Sequence, residues 1–263
     1  MMSPTAFAVP EHLTPHDLVT YFRCPHEMEL SKERGRPAPV GAPVPTSVVP
    51  LRHSPLFAPP LGRVGVNEGR LDLSDHDQLI YEDPGEDDLP MLFPPERVRL
   101  DPRFSNGHGN LIDAELGLSG RPDLIIQRAD GSLVPVEYKA THLFVGYHEA
   151  HGRLFDTVQA IAECRLVHAA FGRRPPFGIV LYGDSVGDGS REGWVEIPYN
   201  AAEESWLKVA LGQVRADTVR APVPAERNCG GCEANSLGLC RFAAARYEGP
   251  HHRQSFLSTA HRS

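Results

Sequence analysis

Proline is unevenly distributed along this chain of 263 residues, and its distribution limits what one long segment can fold into. Of the 25 prolines, 12 lie between Pro37 and Pro95. Because proline fixes φ and has no backbone N–H, a segment this rich in it cannot form long helices or central strands. We therefore predict that residues 35–95 are an irregular insertion with one short strand around Gln78–Tyr81; a disordered linker is the alternative.

The same segment carries a concentrated negative charge. The formal net charge of the chain is −8, and residues 72–88 contain eight acidic side chains and no lysine or arginine. The rest of the chain is therefore formally neutral, so the acidic balance does not exclude nucleic acid as a partner. No apolar run approaches the roughly 18 residues of a membrane span, and the N-terminus has no secretion-signal pattern. Both observations favour a cytoplasmic protein that does not act on membranes.

Outside the insertion, apolar spacing and capping signals predict a series of helices and strands. Thr14-Pro15-His16-Asp17 has the pattern of a capping box, and the helix that it starts would end near Ser31. Two apolar runs around Asp130-Gly131 predict a β-hairpin whose loop is longer than two residues. The other predicted elements are strands at 111–118, 177–183 and 194–197, a turn at 119–120, and helices at 148–171 and 201–219. This mixture indicates an α/β or α+β core.

The residues that carry chemistry cluster at the open end of this hairpin. Gly120-Arg121-Pro122-Asp123 leads into its first strand, and Glu137-Tyr138-Lys139 closes the second. Side chains alternate along a strand, so Glu137 and Lys139 project from one face, and the hairpin brings Asp123 alongside them. Two carboxylates suit Mg²⁺ or Mn²⁺, which can activate a water for attack on a phosphodiester, while the lysine stabilises the developing charge.

Each half of this pattern is common by itself. Glu-x-Lys on a strand is usually a solvated pair on the protein surface, and Gly-x-x-Asp is an ordinary turn. What favours catalysis is the joint pattern of turn, aspartate, Asp-Gly hairpin and Glu-x-Lys. This joint pattern matches the PD-(D/E)xK nuclease motif and therefore predicts hydrolysis of phosphodiester bonds.

The cysteines give a second, independent indication. The five are Cys24, Cys164, Cys229, Cys232 and Cys240. An odd number without a secretion signal argues against disulfides. The closely spaced C-terminal thiols suit zinc and an iron–sulfur cluster about equally, and Cys24 could supply the fourth ligand. Cys164 lies inside a predicted helix, where a small buried apolar role is more typical.

Three segments, together with this cysteine arrangement, resemble one nuclease family. The segments are Leu13-Thr14-Pro15 with Tyr21-Phe22-Arg23-Cys24-Pro25, Gly117-Leu118-Ser119-Gly120-Arg121-Pro122-Asp123, and Pro135-Val136-Glu137-Tyr138-Lys139. The chain resembles RecB-type nucleases that carry a 4Fe-4S cluster, and within them the CRISPR-associated exonucleases that act with the spacer-integration machinery. The resemblance implies a restriction-endonuclease-like core, with a mixed central sheet flanked by helices, and a module in which the cluster clips the N- and C-terminal segments together.

The resemblance also implies roles for the matching residues. Asp123, Glu137 and the backbone carbonyl of Tyr138 would bind the metal, Mg²⁺ or Mn²⁺. Lys139 would be the catalytic lysine, and Gln159 would lie near substrate and metal. The ligands of the cluster would be Cys24, Cys229, Cys232 and Cys240, which favours 4Fe-4S over structural zinc.

Two features depart from the family pattern. Glu163 stands where the family often has a tyrosine, four residues after the glutamine. The family's upstream histidine ligand has no clear counterpart; His53 is a weak candidate, and His76 and His108 are weaker ones.

The domain organisation that follows has five parts. They are an N-terminal helix with the first cluster cysteine (1–34), the insertion (35–95), the nuclease core (96–222), the C-terminal cysteine cluster (223–247) and a flexible tail (248–263). We expect a metal-dependent deoxyribonuclease that trims single-stranded DNA ends, acting in CRISPR spacer acquisition beside integrase proteins. The alternatives are a free-standing repair, recombination or phage nuclease and a non-catalytic DNA-binding iron–sulfur subunit. Arginines that could follow a DNA backbone are Arg121, Arg153, Arg165, Arg173 and Arg174.

Overall fold

The computed structural model describes residues 12–23, 65–68, 71–83, 92–101, 110–139, 154–183 and 193–216. The chain divides into two compact units. The first consists of Met1–Ala8, Thr20–His53 and Ala216–Ser263, and the second of Val9–Val19 and Ser54–Arg215. The strands and the site residues discussed below all belong to the second unit.

The described ranges contain α-helices, one short 3₁₀ helix and eight strands. The helices are α1 (Pro15–Arg23), α2 (Leu154–Phe171) and α3 (Ala201–Ala216), and the 3₁₀ helix is Pro95–Arg97. The strands are β1 (Gly65–Glu68), β2 (Gln78–Glu82), β3 (Leu111–Asp113), β4 (Leu118–Gly120), β5 (Leu124–Gln127), β6 (Leu133–Lys139), β7 (Phe177–Tyr182) and β8 (Gly193–Pro198). In the part of the chain that the structure describes, no helix has the length and apolar character needed to cross a membrane.

Six strands form one mixed sheet in the order β1-β8-β7-β6-β5-β2. Neighbouring strands are antiparallel except β6 and β7, which are parallel. Helix α2 connects these two strands in sequence and contacts both, as a crossover between parallel strands requires. Strands β3 and β4 form a separate two-stranded sheet that also contacts α2. The prediction of a mixed sheet flanked by helices in an α+β core is therefore confirmed.

The two faces of the main sheet have different neighbours. One face contributes to an apolar cluster made of Leu71, Leu79, Phe93, Leu124, Ile126, Val134, Val136, Ile179 and Leu181. Alternation along β6 and β7 turns the intervening side chains of Glu137, Lys139 and Tyr182 to the opposite face. There they meet α2, with which Lys139 and Tyr182 form hydrogen bonds. The polar residues of β6 are thus positioned against a helix rather than against the apolar cluster.

Local signals predicted several elements correctly. At the start of α1, the Thr14 N–H donates to Asp17 Oδ2 (2.9 Å) and the Asp17 N–H donates to Thr14 Oγ1 (3.0 Å), which is the predicted capping box. Strands β5 and β6 form the predicted hairpin, in which Gly131 adopts a φ of 82°. Strands β7 and β8 and helix α3 correspond to the elements predicted at 177–183, 194–197 and 201–219.

Helix α2 also ends as predicted. Gly172 adopts a φ of 68°, and its N–H donates to the carbonyl of His168 (2.9 Å). A left-handed glycine in this position satisfies a helix-terminal carbonyl and stops the helix. The predicted start of α2 at residue 148 and the predicted end of α1 near Ser31 lie outside the described residues.

The single strand predicted at 111–118 is wrong, since these residues form parts of a hairpin. Asp113 Oδ1 accepts the N–H of Leu116 (3.2 Å), and Gly117 has a φ of 55°, so the chain reverses between β3 and β4. The aspartate turn competes successfully with an extended strand because its side chain satisfies a backbone donor locally. Ser119 and Gly120, which were predicted to form a turn, are consequently part of strand β4.

The proline-rich segment contributes both edge strands of the main sheet. Strand β2 confirms the short strand predicted around Gln78–Tyr81, whereas β1 was not predicted from the irregular composition. Edge strands tolerate nearby prolines because one of their sides needs no ladder hydrogen bonds. Residues 35–64 lie outside the described part of the chain.

Candidate active site

The β5–β6 hairpin brings Asp123 to the end of β6. Leu124 pairs with Val136 in the register of the two strands, so Asp123 lies immediately beside the position of Glu137. Asp123 Oδ2 accepts the backbone N–H of Tyr138 at 2.6 Å. The predicted association of Asp123 with the Glu-x-Lys segment is therefore present as a direct hydrogen bond.

Lys139 connects the end of β6 to helix α2. Its Nζ donates to Glu137 Oε1 (2.5 Å) and to Gln159 Oε1 (3.0 Å). The Glu137 side chain is 8% exposed and that of Lys139 is 28% exposed, so the ammonium is the more accessible partner. Asp123, Glu137, Lys139 and Gln159, which sequence reasoning selected from three separate segments, thus meet at one end of the sheet.

Helix α2 adds a carboxyl group that sequence reasoning noted only as a departure from a family pattern. Glu163 lies one helical turn after Gln159, and its Oε1 accepts the Gln159 Nε2–H at 3.2 Å. The residue is 1% exposed. Its carboxyl lies close enough to that of Glu137 to share a proton with it, while no donor among the described residues reaches its Oε2. In the sequence, the i, i+4 spacing from Gln159 was the indication that Glu163 would lie on the same face of the helix.

A fourth acidic residue lies near Lys139. Asp156 is 9% exposed, and its Oδ2 accepts a hydrogen bond from the hydroxyl of the fully buried Tyr182. This bond joins the first turn of α2 to the end of β7. In the sequence, the only indication that Asp156 belongs to the site was its position three residues before Gln159, on a helix that also bears Glu163.

The electrostatics of this group raise the pKa of both Lys139 and Glu163. Burial alone would lower the pKa of Lys139, but the negative charges of Glu137, Asp156 and Glu163 outweigh burial and raise it. Burial is the largest cause of the raised pKa of Glu163, followed by the charges of Glu137 and Asp123. Three carboxyl groups, those of Glu137, Asp156 and Glu163, therefore act on the Lys139 ammonium, and Asp123 acts on Glu163.

An arginine lies at the edge of this site. Arg121 Nε is 3.3 Å from Asp83 Oδ2, and the Arg121 side chain is 39% exposed. The backbone N–H of Asp83 donates to the carbonyl of Asp123 (2.8 Å), which links this ion pair to the acidic group. Tyr81 lies nearby, and burial followed by the charge of Asp83 raises its pKa to about 12.

Arg165 does not have the role that the sequence suggested. It is 7% exposed and bonds to Asp113, Glu115 and Glu204, so it is not free to follow a DNA backbone. Of the other arginines, Arg153 lies outside the described residues. Arg174 is 44% exposed and pairs with Glu204 at 2.7 Å.

The donor set at the end of β6 fits a hard divalent cation. Among the described residues, no three histidine, cysteine, aspartate or glutamate side chains are grouped closely enough to form a ready-made metal cage. Mg²⁺ does not require one, because it is commonly held by one or two carboxylates and otherwise by water and substrate phosphate. Asp123, Glu137 and the carbonyl of Tyr138 supply such oxygens, and the carboxyl of Glu163 lies nearby.

Most of the other residues predicted as ligands of a metal or a cluster lie outside the described part of the chain. Cys24, Cys229, Cys232 and Cys240 lie outside the described residues, as do His53 and His108. His76 is exposed in the turn before β2. Cys164 is fully buried in α2, as expected for a small apolar role, and burial raises the pKa of its thiol.

Comparison of the chain with protein-family models and with curated proteins finds no match.

Proposed function

We propose that this protein is a metal-dependent DNA nuclease of the PD-(D/E)xK type, with a restriction-endonuclease-like core. The observation that carries the proposal is the meeting of Asp123, Glu137, Lys139 and Gln159 at one end of a mixed sheet. Two carboxylates and a lysine in this arrangement combine a cation site with a group that stabilises charge on phosphate. Single-stranded DNA ends are the substrate that the family resemblance favours.

The cation would be Mg²⁺ or Mn²⁺, held by Asp123, Glu137 and the carbonyl of Tyr138. When bound, it would supply an activated water and polarise the phosphodiester. The charge balance supports a cation, since the buried carboxyl groups of Glu137, Asp156 and Glu163 all act on the Lys139 ammonium. Buried carboxylates are costly unless they are paired or bind metal.

Lys139 is the residue best suited to contact the reacting phosphate. An ammonium has three N–H donors, and two of those on Lys139 go to Glu137 and Gln159. Within the described residues the third has no acceptor, and the side chain is partly exposed. It can therefore donate to a phosphate oxygen on which negative charge develops, while its two fixed contacts hold the ammonium in position.

The cysteine spacing supports a second cofactor in the same proposal. Cys24, Cys229, Cys232 and Cys240 match the cluster ligands of the family that the chain resembles. We propose that they hold a 4Fe-4S cluster, with structural zinc as the alternative. In its cellular role the nuclease would trim DNA ends for CRISPR spacer acquisition beside integrase proteins, or act as a free-standing repair, recombination or phage enzyme; the genes adjacent to its own would distinguish these settings.

The proposal is tested by replacing the lysine. Lys139→Ala is expected to slow Mn²⁺-dependent degradation of end-labelled single-stranded DNA by about 100-fold or more, because a preorganised charge at the reacting phosphate is lost. Lys208→Ala removes a lysine from α3 that pairs with Glu204 and Glu115, and it should degrade DNA like the wild type. Circular dichroism and gel filtration would verify that both variants are folded.

Two results would contradict the nuclease proposal. If Lys139→Ala degrades DNA as fast as Lys208→Ala, the observed activity does not come from this site. If the anaerobically prepared wild type binds single-stranded DNA without degrading it in Mn²⁺ or Mg²⁺, the protein is a non-catalytic DNA-binding subunit.

A further inference from the structure

The side-chain amide of Gln159 lies between two groups of opposite hydrogen-bonding character. On one side its Oε1 accepts from Lys139 Nζ (3.0 Å), and on the other its Nε2–H donates to Glu163 Oε1 (3.2 Å). An ammonium can only donate, so it requires the amide oxygen. A carboxyl Oε1 accepts from the amide NH₂ whether or not the other oxygen carries a proton. The two neighbours together therefore allow one orientation of the amide.

We propose that Glu163 is a positioning residue for Lys139: it fixes the Gln159 amide so that the amide oxygen holds the ammonium beside Glu137. The inference rests on the proposed function in that it assumes Lys139 acts on the substrate. Without Glu163, the amide of Gln159 is free to turn its NH₂ toward Lys139, and the ammonium then loses one of its two fixed acceptors. The group that faces the phosphate would no longer have one defined position.

The placement of Glu163 supports this role over simple packing. Its neighbours on α2 are fully buried apolar residues such as Leu166 and Ile161, and Glu163 itself is 1% exposed. A leucine would suit such a position better, because a buried carboxyl costs free energy unless hydrogen bonds compensate. Gln159 donates to Glu163 Oε1, and the Glu163 carboxyl also lies within hydrogen-bonding reach of that of Glu137. The carboxyl therefore gives the Gln159 amide an acceptor that an apolar side chain would not supply.

Two variants of Glu163 separate hydrogen bonding from charge. Glu163→Leu cannot accept from Gln159, whereas Glu163→Gln is neutral but keeps an acceptor oxygen in the same place. We expect Glu163→Leu to lower kcat by about 10- to 100-fold at unchanged KM for DNA, because a small misplacement of a catalytic group has an effect of this size. Glu163→Gln should restore kcat to near the wild-type value.

A double-mutant comparison tests whether the effect passes through Gln159. In a Gln159→Leu background, Glu163→Leu and Glu163→Gln should have the same kcat, since the coupling that separates them has been removed. If the two still differ, Glu163 acts on something other than the amide and the inference is overturned. It is equally overturned if Glu163→Gln is as slow as Glu163→Leu, which would mean that the negative charge itself is required, as for direct metal binding.

A second readout does not depend on nuclease activity. Acylation of lysine amines, followed by peptide mass spectrometry, reports how firmly Lys139 is held relative to Lys208 in the same sample. The ratio of Lys139 to Lys208 labelling should rise several-fold in Glu163→Leu but not in Glu163→Gln, whose charge change is the same. If the ratio rises as expected in a protein that does not degrade DNA, the positioning inference stands and the nuclease proposal fails. If the ratio is equal in both variants, the positioning inference fails.

Discussion

Asp77 is a residue whose role could not be inferred from the acidic segment around it. Ser74 donates its N–H to Asp77 Oδ2 (2.9 Å) and its hydroxyl to Oδ1 (2.8 Å), and the N–H of Ala129 also donates to Oδ1 (2.9 Å). The residue is 1% exposed. It therefore ties the turn before β2 to the loop of the β5–β6 hairpin, while its neighbour Asp75 is fully exposed.

This role predicts acid-sensitive stability. Burial alone would raise the pKa of Asp77, but hydrogen bonds from Ser74 and Ala129 and the charge of Arg128 outweigh it and lower the pKa below its ordinary value of 3.8. A lowered folded-state pKa contributes stability that is present above the unfolded value and is lost as pH falls through the folded value. Asp77→Ala should therefore reduce the free energy of unfolding by about 2 kcal/mol at neutral pH, and the difference from wild type should shrink below pH 3.8.

Urea unfolding at several pH values measures this difference. Asp75→Ala is the matched control. It removes the same charge two residues away, and the side chain that it removes is fully exposed. A deficit of Asp77→Ala that stays constant into acid, or that equals that of Asp75→Ala at neutral pH, would contradict the assignment.

At the scale of elements, Arg165 of α2 joins parts of the fold that the main sheet does not connect. Its guanidinium bonds to Asp113 Oδ2 (2.5 Å) and Glu115 Oε2 (2.9 Å) beside the β3–β4 hairpin, and to Glu204 Oε1 (2.8 Å) on α3. Asp113 is 3% exposed. A buried arginine with several carboxylates is a structural group whose loss leaves charges without compensation.

Arg165→Met should consequently lower the free energy of unfolding by about 3–5 kcal/mol, because Asp113 would remain buried without its cationic partner. Arg174→Met is the control: it also removes a bond to Glu204, but Arg174 is 44% exposed and Arg165 remains in place. Its cost should be no more than about 1 kcal/mol. Denaturant unfolding would measure both losses of unfolding free energy. Equal losses would show that the burial of Arg165 does not decide its role.

At the scale of the whole molecule, the cysteines proposed as cluster ligands lie near the two ends of the sequence. Cys24 and Cys229 are 205 positions apart, so a cluster that binds both would close a very long loop. Closing such a loop removes entropy from the unfolded chain, and ligand binding adds to folding stability. A cluster would therefore contribute to the stability of the unit that contains both segments.

The anaerobically purified protein should be brown, with the visible absorbance of an iron–sulfur cluster. Cys24→Ala should lose this absorbance, because a 4Fe-4S cluster needs four thiolates. Cys164→Ala should keep it, since Cys164 is buried in α2 and has no ligand role in the proposal. A colourless wild type with stoichiometric zinc would contradict the iron–sulfur assignment.

What the sequence determined by itself was local. The capping box of α1, the hairpin around Asp130-Gly131 and the glycine stop of α2 depend on contacts between residues a few positions apart, and all three were predicted correctly. The sequence also placed Asp123 beside Glu137 and Lys139, because hairpin register and strand alternation are local rules.

Only the tertiary structure decided what meets this strand end from elsewhere. The parallel pairing of β6 with β7 brings α2 across the sheet, and this puts Gln159, Glu163 and Asp156 next to Lys139. The same packing buries Arg165 among carboxylates from the β3–β4 hairpin and α3. Such contacts join residues far apart in sequence, and they depend on packing and desolvation that no local pattern records. The same carboxyl can be solvated or buried, and only tertiary packing buries Glu163 beside Gln159 and Glu137.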